Sequence, residues 1–200
     1  MTTEMTEGSD LPDLPPLPED PALAAAVLEI EGHVAAEGWD QPARLYALVD
    51  TGTLVVQEPA LAAAMSIDGP GDEGSFTAIE QDGLPAGQQL EAALQSIVWP
   101  VSVAGCAAVI ERLVLPPGVD DEIPADSAEA ERFAREHPDR QEVRMVAGAT
   151  RAGASYCALR LRAHDDELSV VDGTGLVPGL LELLHATFDQ GSTDPETGQA

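Results

Sequence analysis

The stretch VSVAGCAAVIERLVL, residues 101–115, is apolar at both alternating positions until Glu111 and Arg112. A strand covered on one face alternates apolar with polar residues, so a run without a polar parity reads as a strand buried on both faces, in the middle of a sheet. Pro116, Pro117 and Gly118 end it. Downstream, Asp126 and Glu129 have the spacing of a capping box before a helix that stops ahead of Pro138. Residues 142–150 and 155–163 read as a hairpin turning at Arg151, Ala152, Gly153 and Ala154. A last helix over 177–189 places Val177, Leu180, Leu181, Leu184 and Phe188 on one face.

Upstream of the central run, Asp20 and Pro21 form a helix start: a side-chain acceptor at the cap, then a residue with no N–H to leave unpaired. Leu23, Val27, Ile30 and Val34 follow on one helical face, and Gly38 closes it. Residues 43–50 read as a strand, 58–66 as a second helix, IDGPGDEGS as a loop and 76–81 as a short strand. Leu90, Ala93, Leu94, Ile97 and Val98 mark another amphipathic helix, ended by Trp99 and Pro100. This order predicts an α+β (mixed α/β) fold. It is a single-domain sandwich with helices packed on a mixed sheet whose last three strands form a C-terminal antiparallel meander. The domain is expected over 21–189, between a disordered acidic proline-rich arm at 1–20 and a disordered tail at 190–200.

The 200 residues include 36 Asp plus Glu against 9 basic residues, a net charge of -27, and every basic residue is arginine. Lysine is absent, which excludes Schiff-base chemistry, a phosphate-loop lysine and a Ser-Lys dyad. The charge disfavours nucleic acid and anionic membranes as partners. The start of the chain has no cationic segment followed by an apolar one, and with two cysteines the expected location is the cytoplasm. No HExxH, CxxC or GxSxG motif occurs, so neither a cofactor nor a metal centre is expected. Cys106 and Cys157 fall within strands and read as buried free thiols. His33 with Glu37, and His164 with Asp165, Asp166 and Glu167, are weak metal-ligand patterns that read as solvated positions.

Arginine is distributed unevenly. Five of the nine, Arg140, Arg144, Arg151, Arg160 and Arg162, lie within 140–162, where Glu142 is the only acid. Strand parity places Arg160, Arg162 and His164 opposite Cys157, Leu159 and Leu161, and Arg144 opposite Val143, Met145 and Ala147. The candidate ligand-binding set is therefore Arg144, Arg160, Arg162, His164 and Glu111, with arginines converging on one sheet face to recognise carboxylate or phosphate. The competing reading pairs these arginines with the chain's own carboxylates, Glu111 or an overlying acidic helix. Trp39 and Trp99, at helix ends, read as packing anchors.

The segments GWDQPARLYALV, IEQDGLP, IVWPVSVAGCAAVIERLVLPP and HPDRQEVRMVAGATRAGASYCALRLRAHD together resemble a family of uncharacterised actinobacterial proteins over about residues 20 to 188. The resemblance implies a cytoplasmic protein from a high-GC bacterium and brings no activity or site residue with it. The leading expectation is a non-enzymatic binding or interaction domain that recognises a small anionic ligand or a protein partner through the arginine-bearing face. The oligomeric state is left open. The alternative is an enzyme of unrecognised class using His164 or His137 with nearby carboxylates for acid–base chemistry and arginines as clamps.

Overall fold

The computed structural model describes residues 18–83, 89–116, 118–119 and 122–189. Apart from residues 18–20, the arm and tail expected to be disordered lie outside this range. Six strands, β1 (Arg44–Asp50), β2 (Phe76–Glu80), β3 (Gly105–Val114), β4 (Gln141–Thr150), β5 (Ser155–Leu161) and β6 (Val171–Gly173), form one sheet in the order β2-β1-β3-β4-β5-β6. The apolar run at 101–115 thus supplies an interior strand, and Gly105 to Ile110 are all buried.

Every pairing is antiparallel. The meander of β3, β4 and β5 is present, but the sheet as a whole is antiparallel where a mixed one was expected. The reason is a crossover. β2 and β3 run in the same direction on opposite sides of β1, so the two strands joined by a helical connection never hydrogen-bond to each other.

Helices cover both faces. On one, α1 (Pro21–Ala36) lies over β4 and β5, with Leu23, Val27, Ile30 and Val34 packed against Tyr46, Leu48, Val109 and Val146. Asp20 accepts the Leu23 N–H at 3.0 Å, and Gly38 at φ +90° ends the helix. The helix approaches closely at Gly148, where a Cβ would lie 2.6 Å from Val27 Cγ2 and 3.0 Å from Leu23 Cδ1. Only glycine leaves room there.

On the other face, α4 (Leu90–Leu94) and α6 (Pro178–Asp189) bury Leu90, Leu94, Leu181 and Leu184 against Cys106, Ala108 and Ala147. α4 is shorter than its apolar spacing suggested: the Ser96 hydroxyl donates to the Ala93 carbonyl at 2.9 Å, and the chain leaves the helix before Ile97. Three further helices are α2 (Thr51–Gln57), α3 (Pro59–Ala64) and α5 (Ser127–Glu136). Asp126 caps α5 by accepting the N–H groups of Ala128 and Glu129, each at 3.0 Å. No described helix is long and apolar enough to cross a membrane.

Candidate functional site

Register explains how the arginines meet. Glu111 of β3 lies opposite Arg144 of β4, and Arg144 lies opposite Arg160 of β5, so the three form a row across adjacent strands on the α1 face. Parity holds to Leu161. There β5 ends, and a short 3-10 turn over Arg162–His164 takes His164 off the row to an exposed position without a hydrogen bond or ion pair among the described residues.

Each guanidinium in the row has a partner within the chain. Arg160 Nε and Nη2 donate to the two carboxylate oxygens of Glu31 on α1, at 2.6 and 2.7 Å, and both side chains are only 4% exposed. Arg160 Nη1 also reaches Asp165 Oδ1 at 3.5 Å. Arg144 is fully buried and donates to Glu111 Oε1 from Nε at 3.2 Å and from Nη2 at 2.8 Å, and from Nη2 to the Gly38 carbonyl. Arg162, 40% exposed, pairs with both oxygens of Asp40 at 3.0 and 2.9 Å and with Glu142. Its guanidinium holds the Asp40 carboxyl below that group's ordinary pKa.

The segment after α1 closes over this row. Glu111 Oε2 accepts the backbone N–H of Asp40 at 2.8 Å and of Gln41 at 3.3 Å. The Trp39 ring lies under two guanidinium carbons, with Arg144 Cζ 4.4 Å and Arg162 Cζ 5.6 Å from its centroid. Its indole N–H donates to Asp165 Oδ2 at 2.8 Å. Trp39 is therefore the anchor its position at the helix end suggested. The face expected to await an anion is occupied by Glu31, Asp40, Glu111, Glu142 and Asp165, five carboxylates around three arginines. A bound anion would meet net negative charge here. Arg144 Nη1 is the one buried nitrogen of the row without a partner.

The other candidate groups are separated. The His137 ring nitrogen accepts the Asp139 N–H at 3.2 Å and the ring packs edge-on to Phe133, a helix-end arrangement. His33 Nε2 is 3.4 Å from Glu37 Oε1, and Asp166 caps the turn at Leu168 and Ser169. No group of three or more His, Cys, Asp or Glu among the described residues is placed to hold a metal ion. Both cysteines are free and buried; burial pushes the Cys106 thiol up to about 12, far from a thiolate at neutral pH. Ser155 Oγ and His185 Nε2 are 2.8 Å apart, a contact between residues 30 apart in sequence that no motif signals. A nucleophile–base pair also needs a group orienting the second ring nitrogen and donors for an oxyanion, and neither is among the described contacts of His185.

A cleft of about 590 Å³ lies beside this brace, between α1, the strands β1 and β2, and the loop that leads into β2. Its lining brings together Glu29 and His33 from α1, Asp72 from the loop and Glu80 from β2, and no arginine. Tyr46, 4% exposed, donates its hydroxyl to Glu80 Oε2 at 3.3 Å, and burial pushes its phenol above the ordinary value. Thr51 Oγ1 bonds to the Ser75 carbonyl and to Thr77 Oγ1, both at 3.0 Å. The Ser75 hydroxyl oxygen, in the same wall, is buried without a partner. Gly71 presses on it: at φ +67°, a Cβ there would stand 2.6 Å from Ser75 Oγ.

Sequence reasoning missed most of these residues. Glu31 stands four residues after Val27 inside the apolar stripe of α1, and an acid in such a stripe is the available signal for a buried partner. The cleft has no local signal, since its walls come from three separate segments. No curated protein and no solved structure matches the chain. A family model matches residues 23–189, nearly the whole described domain, under a description that names no activity. On that match the chain belongs to the family of PPA1309-like proteins.

Proposed function

We propose that this chain is a non-enzymatic interaction domain whose protein partner seats in the cleft between α1 and β2, while the arginine row serves as an internal brace. The observation that supports it is the contrast between the two places. Each guanidinium of the row is paired with carboxylates of the same chain, whereas the cleft presents carboxylates and aromatic rings with no arginine in its lining. Concave sites of this size with a few convergent polar groups are where ligands and partner side chains bind. The brace matters to the cleft because α1 contributes to both: Glu31 ties down the helix from which Glu29, Ile30 and His33 reach the cleft.

Affinity capture from the native cell extract tests this with two variants. Met65 lines the cleft and is 37% exposed, so Met65→Arg places bulk and charge there without disturbing the core. The wild type is expected to retain a partner, Met65→Arg to lose it and Arg162→Gln to keep it. Loss with Arg162→Gln and retention with Met65→Arg would return the interaction to the arginine face. Recovery of the wild-type protein alone would contradict the interaction reading altogether.

A further inference from the structure

We infer that the partner binds by adding an extended strand to the outer edge of β2, antiparallel to it, with alternate side chains turned into the adjoining cleft. The inference rests on reading the cleft as the interaction site. β2 is an edge strand of the sheet, paired with β1. Two bonds fix the phase of that pairing: the Gln81 N–H donates to the Leu45 carbonyl at 2.8 Å, and the Thr51 N–H to the Ser75 carbonyl at 2.9 Å. In an antiparallel pair, the backbone groups of successive residues turn alternately toward the neighbour and away from it. Ser75, Thr77, Ile79 and Gln81 therefore face β1, and the N–H and C=O groups of Phe76, Ala78 and Glu80 face outward. Among the described residues these outward groups have no hydrogen-bond partner.

Proteins blunt exposed sheet edges with proline, charge, bulges or very short strands. β6, the opposite edge, follows that rule: it spans three residues with Asp172 at its centre. β2 does not. Its sequence, FTAIE, has no proline, no charge before Glu80 and an unbroken register over its whole length, and Phe76 to Ile79 are only half-buried. An edge left open where the other is blunted is a template for a strand from elsewhere, recognised through main-chain hydrogen bonds. The cleft adds side-chain selection. Phe76, Ala78 and Glu80 line it and share one face of the strand, so residues directly opposite Phe76 and Ala78 on an added strand fall on that same face. Beside Ile30, Met65 and Ile67, those residues are best apolar. A second copy of the chain is disfavoured as the source. Symmetric pairing about Ala78 would set Gly74 opposite Asp82 and bring Glu73 beside it, in molecules each of net charge -27. The occupant is therefore an uncharged or basic extended segment of a different protein.

Three blocked peptides, titrated into the full chain and followed by amide chemical shifts, test the inference: Val-Thr-Val-Thr-Val, the same peptide N-methylated at its valines, and the same peptide N-methylated at its threonines. With the valines on the cleft side, their N–H groups point at β2 and those of the threonines point away. Saturable shifts at residues 76–80 are expected with the parent and the threonine-methylated peptide. The valine-methylated peptide is expected to bind more than about tenfold more weakly, the scale of losing two or three main-chain hydrogen bonds. Ala78→Pro deletes an outward N–H without touching the ladder to β1, a substitution that edge strands accept, and is expected to abolish the shifts while the β1 amides stay protected from exchange. Equal affinity for the two methylated peptides would overturn strand addition and leave the cleft as the binding site. Absence of shifts at 76–80 with every peptide would overturn it too, and the capture comparison of Met65→Arg with Arg162→Gln then decides separately whether the cleft reading stands.

Discussion

Glu31→Ala is expected to lose about 3 kcal/mol of unfolding free energy in chemical denaturation, because it leaves the buried Arg160 with only the longer 3.5 Å contact to the exposed Asp165 as counter-charge. Glu31 and Arg160 are each 4% exposed and joined by two hydrogen bonds, so neither retains much water to fall back on once its partner is gone. The double replacement Glu31→Leu with Arg160→Met removes the charge together with its partner, and is expected to recover most of that loss. A buried pair that tolerates joint but not single replacement is fixing the placement of α1 rather than adding net stability. An equal loss in the single and double variants would argue against this.

Arg144→Ala is expected to lose about 3–5 kcal/mol as well, by a different route. The side chain is fully buried, and its removal leaves Glu111, the Gly38 carbonyl and the Trp39 ring without their shared partner. Glu111 in turn holds the N–H groups of Asp40 and Gln41, so the segment over the row loosens and the Trp39 emission is expected to move toward that of a solvated indole. Arg162→Ala should differ sharply. Its pairs with Asp40 and Glu142 are solvent-exposed, and such pairs contribute about 0–1 kcal/mol. Because Arg144 and Arg162 share Trp39, their losses are not expected to add.

How far the sequence carried depends on how local each signal was. β3, the hairpin of β4 and β5, α1 and α6 were legible because each has its own period, cap or turn. α2, with its glycine and β-branched residues, reads as a poor helix; it forms because Asp50 caps it, accepting the Thr53 N–H at 2.6 Å. β6 spans three residues, too few for alternation to register. The arginine row was visible as parity on β4 and β5. Its closure was legible in part: the competing reading paired these arginines with Glu111 or an overlying helix, and Arg144 binds Glu111 while Arg160 binds Glu31 on α1. That Glu31 and Asp40 are the carboxylates that arrive from distant segments is set by the packing of α1 and the turn after it. His164 failed for a local reason: the strand ended three residues before it, and parity has no meaning in a 3-10 turn.

The central claim is that the arginine row is an internal brace and not an anion site. Titration of the wild-type protein with inorganic phosphate, followed by amide chemical shifts at moderate salt, tests it most directly. The account predicts no saturable shift at residues 38–41, 111, 144 or 160–165, since the guanidinium groups there are already bound to carboxylates of the chain. A saturable shift centred on Arg144, Arg160 and Arg162, abolished by Arg162→Gln, would contradict it.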